Sequence, residues 1–128
     1  MKILDMKCAE YGAELAAEDH DDTLITKALG VLQEDGVYAF FLYLSAKKSE
    51  EASKLQIKAF KFLKQPEILG HLFSTDTDPL PALRERFRDN LDELLFSKEL
   101  LERTLVYARY HAKASGKQKT ADSEGDGE

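Results

Sequence analysis

The segment Val37 to Ala46, VYAFFLYLSA, contains no charged residue and sets the expected architecture of the chain. It is apolar on almost every side when it is drawn as a helix, so a helix here must be buried over most of its surface. A strand buried on both faces is the alternative for an apolar run of this length. The rest of the sequence offers no strand with which it could pair, because sustained alternation of apolar and polar residues is absent. We therefore predict a central helix.

Helical periodicity continues on the N-terminal side of this segment. Apolar residues recur at steps of three and four from Leu4 to Leu15, and the pattern stops in an acidic stretch. Asp21 or Asp22 is suited to cap a second helix, since a carboxylate at a helix N-terminus accepts hydrogen bonds from free N–H groups. Gly36 is expected to end that helix, because glycine readily adopts the left-handed backbone found after a helix end.

On the C-terminal side the sequence predicts further helices. Ser49 is the expected N-cap of a helix that Pro66 ends, and a short turn and a polar loop follow. Asp78 and Pro79 have the residue types of an N-cap and a first helical position. Ser97 either starts a sixth helix or lies at a bend within a long one. The helix after Pro79 is expected to turn five apolar residues inward: Leu80, Leu83, Phe87, Leu91 and Leu94.

Composition agrees with a single compact domain. The chain has 128 residues, 43% of them hydrophobic and 33% charged. We predict an all-α fold, a compact bundle of five to six helices over residues 1–115, with a disordered acidic polar tail over residues 116–128. No apolar run approaches the roughly 18 to 20 residues that cross a bilayer, and no apolar segment opens the chain, so the expectation is a cytoplasmic protein.

Charge is unevenly distributed along the chain. The formal net charge is −6, but Lys54 to Pro66 contains four lysines and no acid. On a helix these lysines cover about a third of the circumference, opposite the apolar side, when residues are placed about 100° apart. Without glutamates to offset their repulsion, they are typical of a phosphate-binding surface rather than an ordinary solvated face. The predicted nucleic-acid-binding residues are Lys47, Lys48, Lys54, Lys58, Lys61 and Lys64.

The last predicted helix carries a second, mixed patch. Arg103, Tyr107, Tyr110 and Lys113 share one side of it, away from the apolar side. Tyrosines beside basic residues can stack on unpaired bases and hold phosphates. They can also pack on a neighbouring subunit, which is the interpretation we favour.

Little in the sequence supports catalysis. His20, His71 and His111 are scattered, and Cys8 lies on the apolar stripe of the first helix, so no catalytic or metal-binding spacing is present. No glycine-rich phosphate loop or dinucleotide-binding pattern occurs. We expect a protein that is not an enzyme and that has no cofactor, no metal and no small-molecule substrate.

Two segments resemble a known family. Residues 28–48, ALGVLQEDGVYAFFLYLSAKK, combine a helix, a glycine break, an apolar central helix and terminal lysines. Residues 100–114, LLERTLVYARYHAKA, place aromatic and basic residues before an alanine-rich end. Both are similar to the small subunit of Cmr-type (type III-B) CRISPR effector complexes. Small subunits of type I effectors are also short helical proteins with basic faces, so a related CRISPR small subunit is the alternative within this class.

The resemblance implies a non-catalytic, all-helical protein of antiviral defence that stacks in several copies as a filament. Its partners would be copies of itself, other subunits of the effector complex, and the backbone of the guide RNA and target strand. The basic face would contact phosphates without reading sequence, and the tyrosine-rich last helix would help to form the subunit contact. The residues alone leave a second function open, that of a helical protein–protein adaptor or regulator whose lysine face binds an acidic partner.

Overall fold

The computed structural model describes residues 2–18, 22–73 and 75–124, and these residues form helices without strands. The expected all-α fold is confirmed over this part of the chain. Its helices are α1 (Lys2–Glu18), α2 (Asp22–Asp35), α3 (Val37–Lys47), α4 (Glu50–Leu63), α5 (Gly70–Phe73), α6 (Pro79–Arg86) and α7 (Leu91–Glu124). The bundle of five to six helices that we predicted therefore gains one short element, since α5 occupies the segment expected to be a turn.

The helix α3 is the central element of the fold, as predicted. Val37, Phe40, Phe41 and Leu44 are buried, and α3 packs against α2, α4, α6 and α7. The alternative of a buried strand is thereby excluded. Gly36, with φ of 99°, separates α2 from α3, and its N–H donates to the Leu32 carbonyl oxygen at 3.0 Å. Glycine has no Cβ atom and adopts a positive φ without strain, so the chain can turn at this position.

Two further caps follow the sequence prediction. Ser49 caps α4, and its hydroxyl oxygen accepts a hydrogen bond from the Ala52 N–H at 3.1 Å. Asp78 is the N-cap residue of α6 with Pro79 in the first turn, although the Asp78 side chain makes no capping hydrogen bond. Asp22 begins α2, whereas Asp21, the other candidate cap, lies outside the described residues.

The prediction of one helix from Pro79 to Leu94 is wrong. The helix α6 ends at Arg86, and α7 begins at Leu91, so Leu91 is 63% exposed instead of facing inward. The cause is Asn90, whose side-chain amide donates to the Arg86 carbonyl oxygen at 2.6 Å. In a continuous helix the backbone N–H of Asn90 would make that bond, so the side chain replaces it and the backbone turns.

Ser97 lies inside α7 and starts no new helix. It is fully buried, and its hydroxyl donates to the Leu94 carbonyl oxygen at 2.8 Å. The helix α7 includes residues 116–124, whereas residues 125–128 lie outside the described part of the chain. The disorder predicted for the tail stays a prediction. The inward side of this helix carries five buried residues: Leu101, Thr104, Leu105, Ala108 and Ala112.

The helices α1 and α7 pack against each other at very short range. A Cβ atom placed on Gly12 would lie 2.7 Å from the Tyr107 Cβ and 2.8 Å from the Thr104 carbonyl oxygen. Cys8, one turn earlier on α1, is fully buried, and its thiol donates to the Leu100 carbonyl oxygen at 3.6 Å. Burial raises the pKa of this thiol, which agrees with its predicted place in the core.

Candidate nucleic-acid interface

The predicted lysine surface lies on α4 and at the end of α3. We use the name lysine surface for Lys47, Lys48, Lys54, Lys58, Lys61 and Lys64. The α4 helix is amphipathic, so burial of one side turns the lysines on the other side toward solvent. The buried side carries Leu55, Ala59, Phe62 and Leu63. The first two lysines end α3, and Lys64 is the C-cap residue of α4.

Two of these lysines have acidic partners, which corrects the expectation of uncompensated repulsion. The Lys54 Nζ lies 3.8 Å from a Glu50 carboxylate oxygen, one turn earlier on α4. The Lys58 Nζ lies 3.4 Å from Glu14, which α1 supplies as it packs against α4. Glu50 stands just outside the acid-free segment, and Glu14 is 44 residues away along the chain. Both ion pairs offset part of the positive charge.

The other four lysines have no acidic partner within the described part of the chain. These are Lys47, Lys48, Lys61 and Lys64. The Lys64 Nζ lies 5.3 Å from the centre of the Phe60 ring, a cation–π contact that leaves its charge unneutralised. Positive charge therefore remains at both ends of α4.

A groove that sequence reasoning missed adjoins the C-terminal end of the lysine surface. We call it the α4 groove. It has a volume of about 360 Å³. Ile57, at its edge, is 62% exposed and contributes an apolar side chain to the lining. The available signal was the position of Ile57 between Lys54 and Lys61 on the basic side. Its lining residues are Gln56, Ile57, Phe60, Lys61, Lys64, Thr77 and Pro79.

The second predicted patch on α7 is divided by contacts with α1. The Tyr107 hydroxyl lies 3.0 Å from both carboxylate oxygens of Asp5, and Arg103 donates to Asp5 at 3.1 Å. These hydrogen bonds raise the pKa of Tyr107 and of Arg103. Tyr110 and Lys113 remain exposed. Two of the four predicted residues thus hold α1 and α7 together, and two face outward.

The two histidines that the structure describes lie on different helices. His71 and His111 are exposed on α5 and α7, and His20 lies outside the described residues. Across residues 2–18, 22–73 and 75–124, no group of three or more His, Cys, Asp and Glu side chains is placed to hold a metal ion. Within the same ranges, no helix combines the length and apolar character needed to cross a membrane.

Comparisons with protein-family models, with curated proteins and with solved structures found no match to this chain.

Proposed function

We propose that this chain is a non-catalytic small subunit of a CRISPR RNA-guided effector complex, of the Cmr type or a related one. In this function it binds the phosphate backbone of nucleic acid through the lysine surface. The resemblance of residues 28–48 and 100–114 to that family and the all-helical fold support the class of protein.

One observation carries the binding function. Four lysines on or beside α4 lack an acidic partner within the described residues, although the whole chain has a net charge of −6. Lysine ammonium groups bind phosphates as point charges and release condensed counterions, so they hold a backbone without reading its sequence. Such a surface suits a protein that lies along a strand selected by base pairing elsewhere.

An isolated copy carries few unpaired lysines, so its affinity is expected to be modest. Copies aligned side by side on one strand would add their contacts at a high effective concentration. The proposed partners are therefore copies of this chain, other effector subunits, the guide RNA and the target strand. Tyr110 and Lys113 on α7 are the exposed remainder of the patch proposed for subunit contact.

The function is tested by RNA binding with a charge-matched control. Lys61→Gln/Lys64→Gln removes two unpaired charges from the lysine surface, and Lys27→Gln/Lys98→Gln removes two charges from α2 and α7. Binding to a fluorescent single strand of about 40 nucleotides is measured from about 50 to 300 mM salt, because counterion release makes affinity fall with salt. We expect the first variant to lower the log–log slope by up to about 1.4, at about 0.7 per phosphate, and the second to leave it unchanged. Equal slopes for all three proteins would refute the proposal.

A specific observation favours a second function, that of a helical adaptor for an acidic protein. Ile57 exposes an apolar side chain among lysines, and protein interfaces commonly place an apolar centre inside a polar rim. Capture of one acidic protein that requires Ile57, without salt-sensitive RNA binding, would support the adaptor over the effector subunit.

A further inference from the structure

The α4 groove combines three kinds of surface in one small space. Ile57, Phe60 and Pro79 form apolar walls, Lys61 and Lys64 supply positive charge, and Gln56 and Thr77 supply polar atoms. Its volume of about 360 Å³ lies at the lower end of the range for small-molecule sites, which starts at about 300 Å³. The groove therefore suits a compact ligand that has both a flat apolar part and an anionic part.

The groove offers such a ligand one hydrogen-bond acceptor and one hydroxyl. The Gln56 amide nitrogen already donates to the Phe41 carbonyl oxygen at 3.0 Å and to the Ser45 hydroxyl at 2.9 Å. Its oxygen is left as an acceptor, and the Thr77 hydroxyl has no partner among the described residues. An acceptor and a hydroxyl fit the amino and carbonyl edges of a nucleobase. A carboxylate would instead place its own acceptors against the Gln56 oxygen.

Two acids, Asp76 and Asp78, flank Thr77 of the α4 groove in the sequence. Asp76, next to Thr77, is held by Arg86, whose Nε lies 3.1 Å from a carboxylate oxygen. Asp78 stands in the chain between Thr77 and Pro79 and lines the adjoining cavity, which shares Thr77 with the α4 groove. Lys61 and Lys64 are therefore the charged groups that line the α4 groove itself.

We infer that the α4 groove holds one unpaired nucleotide, its base against Ile57 and Pro79 and its phosphates at Lys61 and Lys64. This inference rests on the proposed function and adds a preference for single strands. In a duplex the bases are stacked and paired, so only phosphates reach the lysines. In a single strand a base can turn outward, and the apolar walls then add to the affinity.

The experiment compares three ligands of equal length: a single-stranded RNA, the same RNA in a perfect duplex, and a strand of abasic sugar phosphates. The groove variant is Ile57→Ser, which removes an apolar wall without changing charge. The matched control is Leu95→Ser, because Leu95 is 54% exposed on α7. Circular dichroism melting checks that both exposed-site variants fold as the parent does.

We expect Ile57→Ser to weaken single-strand binding by about three- to tenfold, at the low end of the contribution of base stacking on aromatic side chains, because Ile57 is aliphatic. Its duplex and abasic-strand binding should match the parent protein, and Leu95→Ser should bind all three ligands normally. Binding of every ligand that depends on Lys61 and Lys64 but not on Ile57 would overturn the groove inference and leave the proposed function intact. Binding that is insensitive to Lys61 and Lys64 throughout would overturn both. Poly-glutamate that displaces the single strand from the parent protein but not from Ile57→Ser would assign the groove to an acidic peptide. That result would overturn the inference.

Discussion

At the scale of single residues, the Asp5 carboxylate links α1 to α7. It accepts hydrogen bonds from Tyr107 and Arg103, which are 102 and 98 residues away in sequence. Arg103 is also 3.5 Å from Glu99 within α7. Two positions that the sequence marked for binding other molecules are thus used to bind α1. These two residues were selected from the pattern of one helix. That pattern contains no information about a carboxylate on another helix, so their contact with Asp5 was not predicted.

The contact between Asp5 and Tyr107 gives the protein a contribution to stability that is lost at alkaline pH. The hydrogen bond to Asp5, then burial and the nearby negative charge raise the pKa of Tyr107 above its ordinary value of about 10. A raised pKa in the folded state stabilises the fold below the unfolded pKa, and this contribution disappears as the pH rises through the folded pKa. We expect the stability difference between the parent and Tyr107→Phe to be constant near neutral pH and to shrink above about pH 10.

Denaturant unfolding at a series of pH values from about 8 to 11 measures this difference, since tyrosine ionises in that range. Tyr110→Phe is the control, because the Tyr110 side chain is exposed and makes no hydrogen bond within the described residues. Its stability should follow the parent at every pH. A Tyr107→Phe curve that runs parallel to the parent through the whole range would contradict the predicted link to Asp5.

At the scale of helices, the crossing of α1 and α7 depends on the missing side chain of Gly12. A methyl group there would meet the Tyr107 Cβ, the Thr104 carbonyl oxygen and, at 2.9 Å, the Ala108 nitrogen. Backbone atoms cannot move aside without separating the helices. We expect Gly12→Ala to lower the free energy of unfolding by about 1 to 3 kcal/mol, as overpacking does in well-packed cores. Urea unfolding followed by circular dichroism measures the loss.

Gly30→Ala is the matched control for that substitution. Gly30 lies within α2, and a Cβ atom there would have no neighbour within 4 Å. Since alanine favours a helix interior over glycine, this variant should gain up to about 1 kcal/mol. A gain of stability in both variants would show that helix propensity and not the α1–α7 contact governs these positions.

The helices themselves illustrate what local sequence can predict. Gly36 and Ser49 act through backbone conformation and a bond to a residue three positions away, so both ends were predictable. The break between α6 and α7 was missed because apolar spacing continues across it. At this break the side chain of Asn90 replaces its own backbone N–H as the donor to the Arg86 carbonyl oxygen. The spacing of apolar residues does not predict such a bond.

The residues of the candidate site could be predicted from the sequence, but their partners from other helices could not. The lysines were found because they share one side of one helix, but the partners of Lys58 and Arg103 come from α1. The α4 groove was missed because Thr77 and Pro79 line it from the segment that leads into α6. Sites that join two segments distant in sequence depend on how helices pack, which a single helical projection does not include.

At the scale of the whole molecule, a protein of net charge −6 is expected to hold a polyanion only through local charge. Salt screens exposed charges beyond about 8 to 10 Å at physiological ionic strength, so the distant acids weigh less than the immediate partners of each lysine. The ion pair with Glu50 then matters more for Lys54 than the net charge does. Removing that partner should increase phosphate binding.

Glu50→Gln and Glu51→Gln separate local from global charge. Both residues are exposed in the first turn of α4 and both substitutions change the net charge equally, but Glu50 pairs with Lys54 at 3.8 Å and Glu51 has no ion-pair partner among the described residues. On a single strand we expect Glu50→Gln to steepen the log–log dependence of affinity on salt by up to about 0.7, since one further lysine can contact phosphate. Glu51→Gln should leave that slope at the parent value. Equal slopes for the two variants would show that the chain responds to its net charge, and that the Glu50 pair does not restrain the lysine surface.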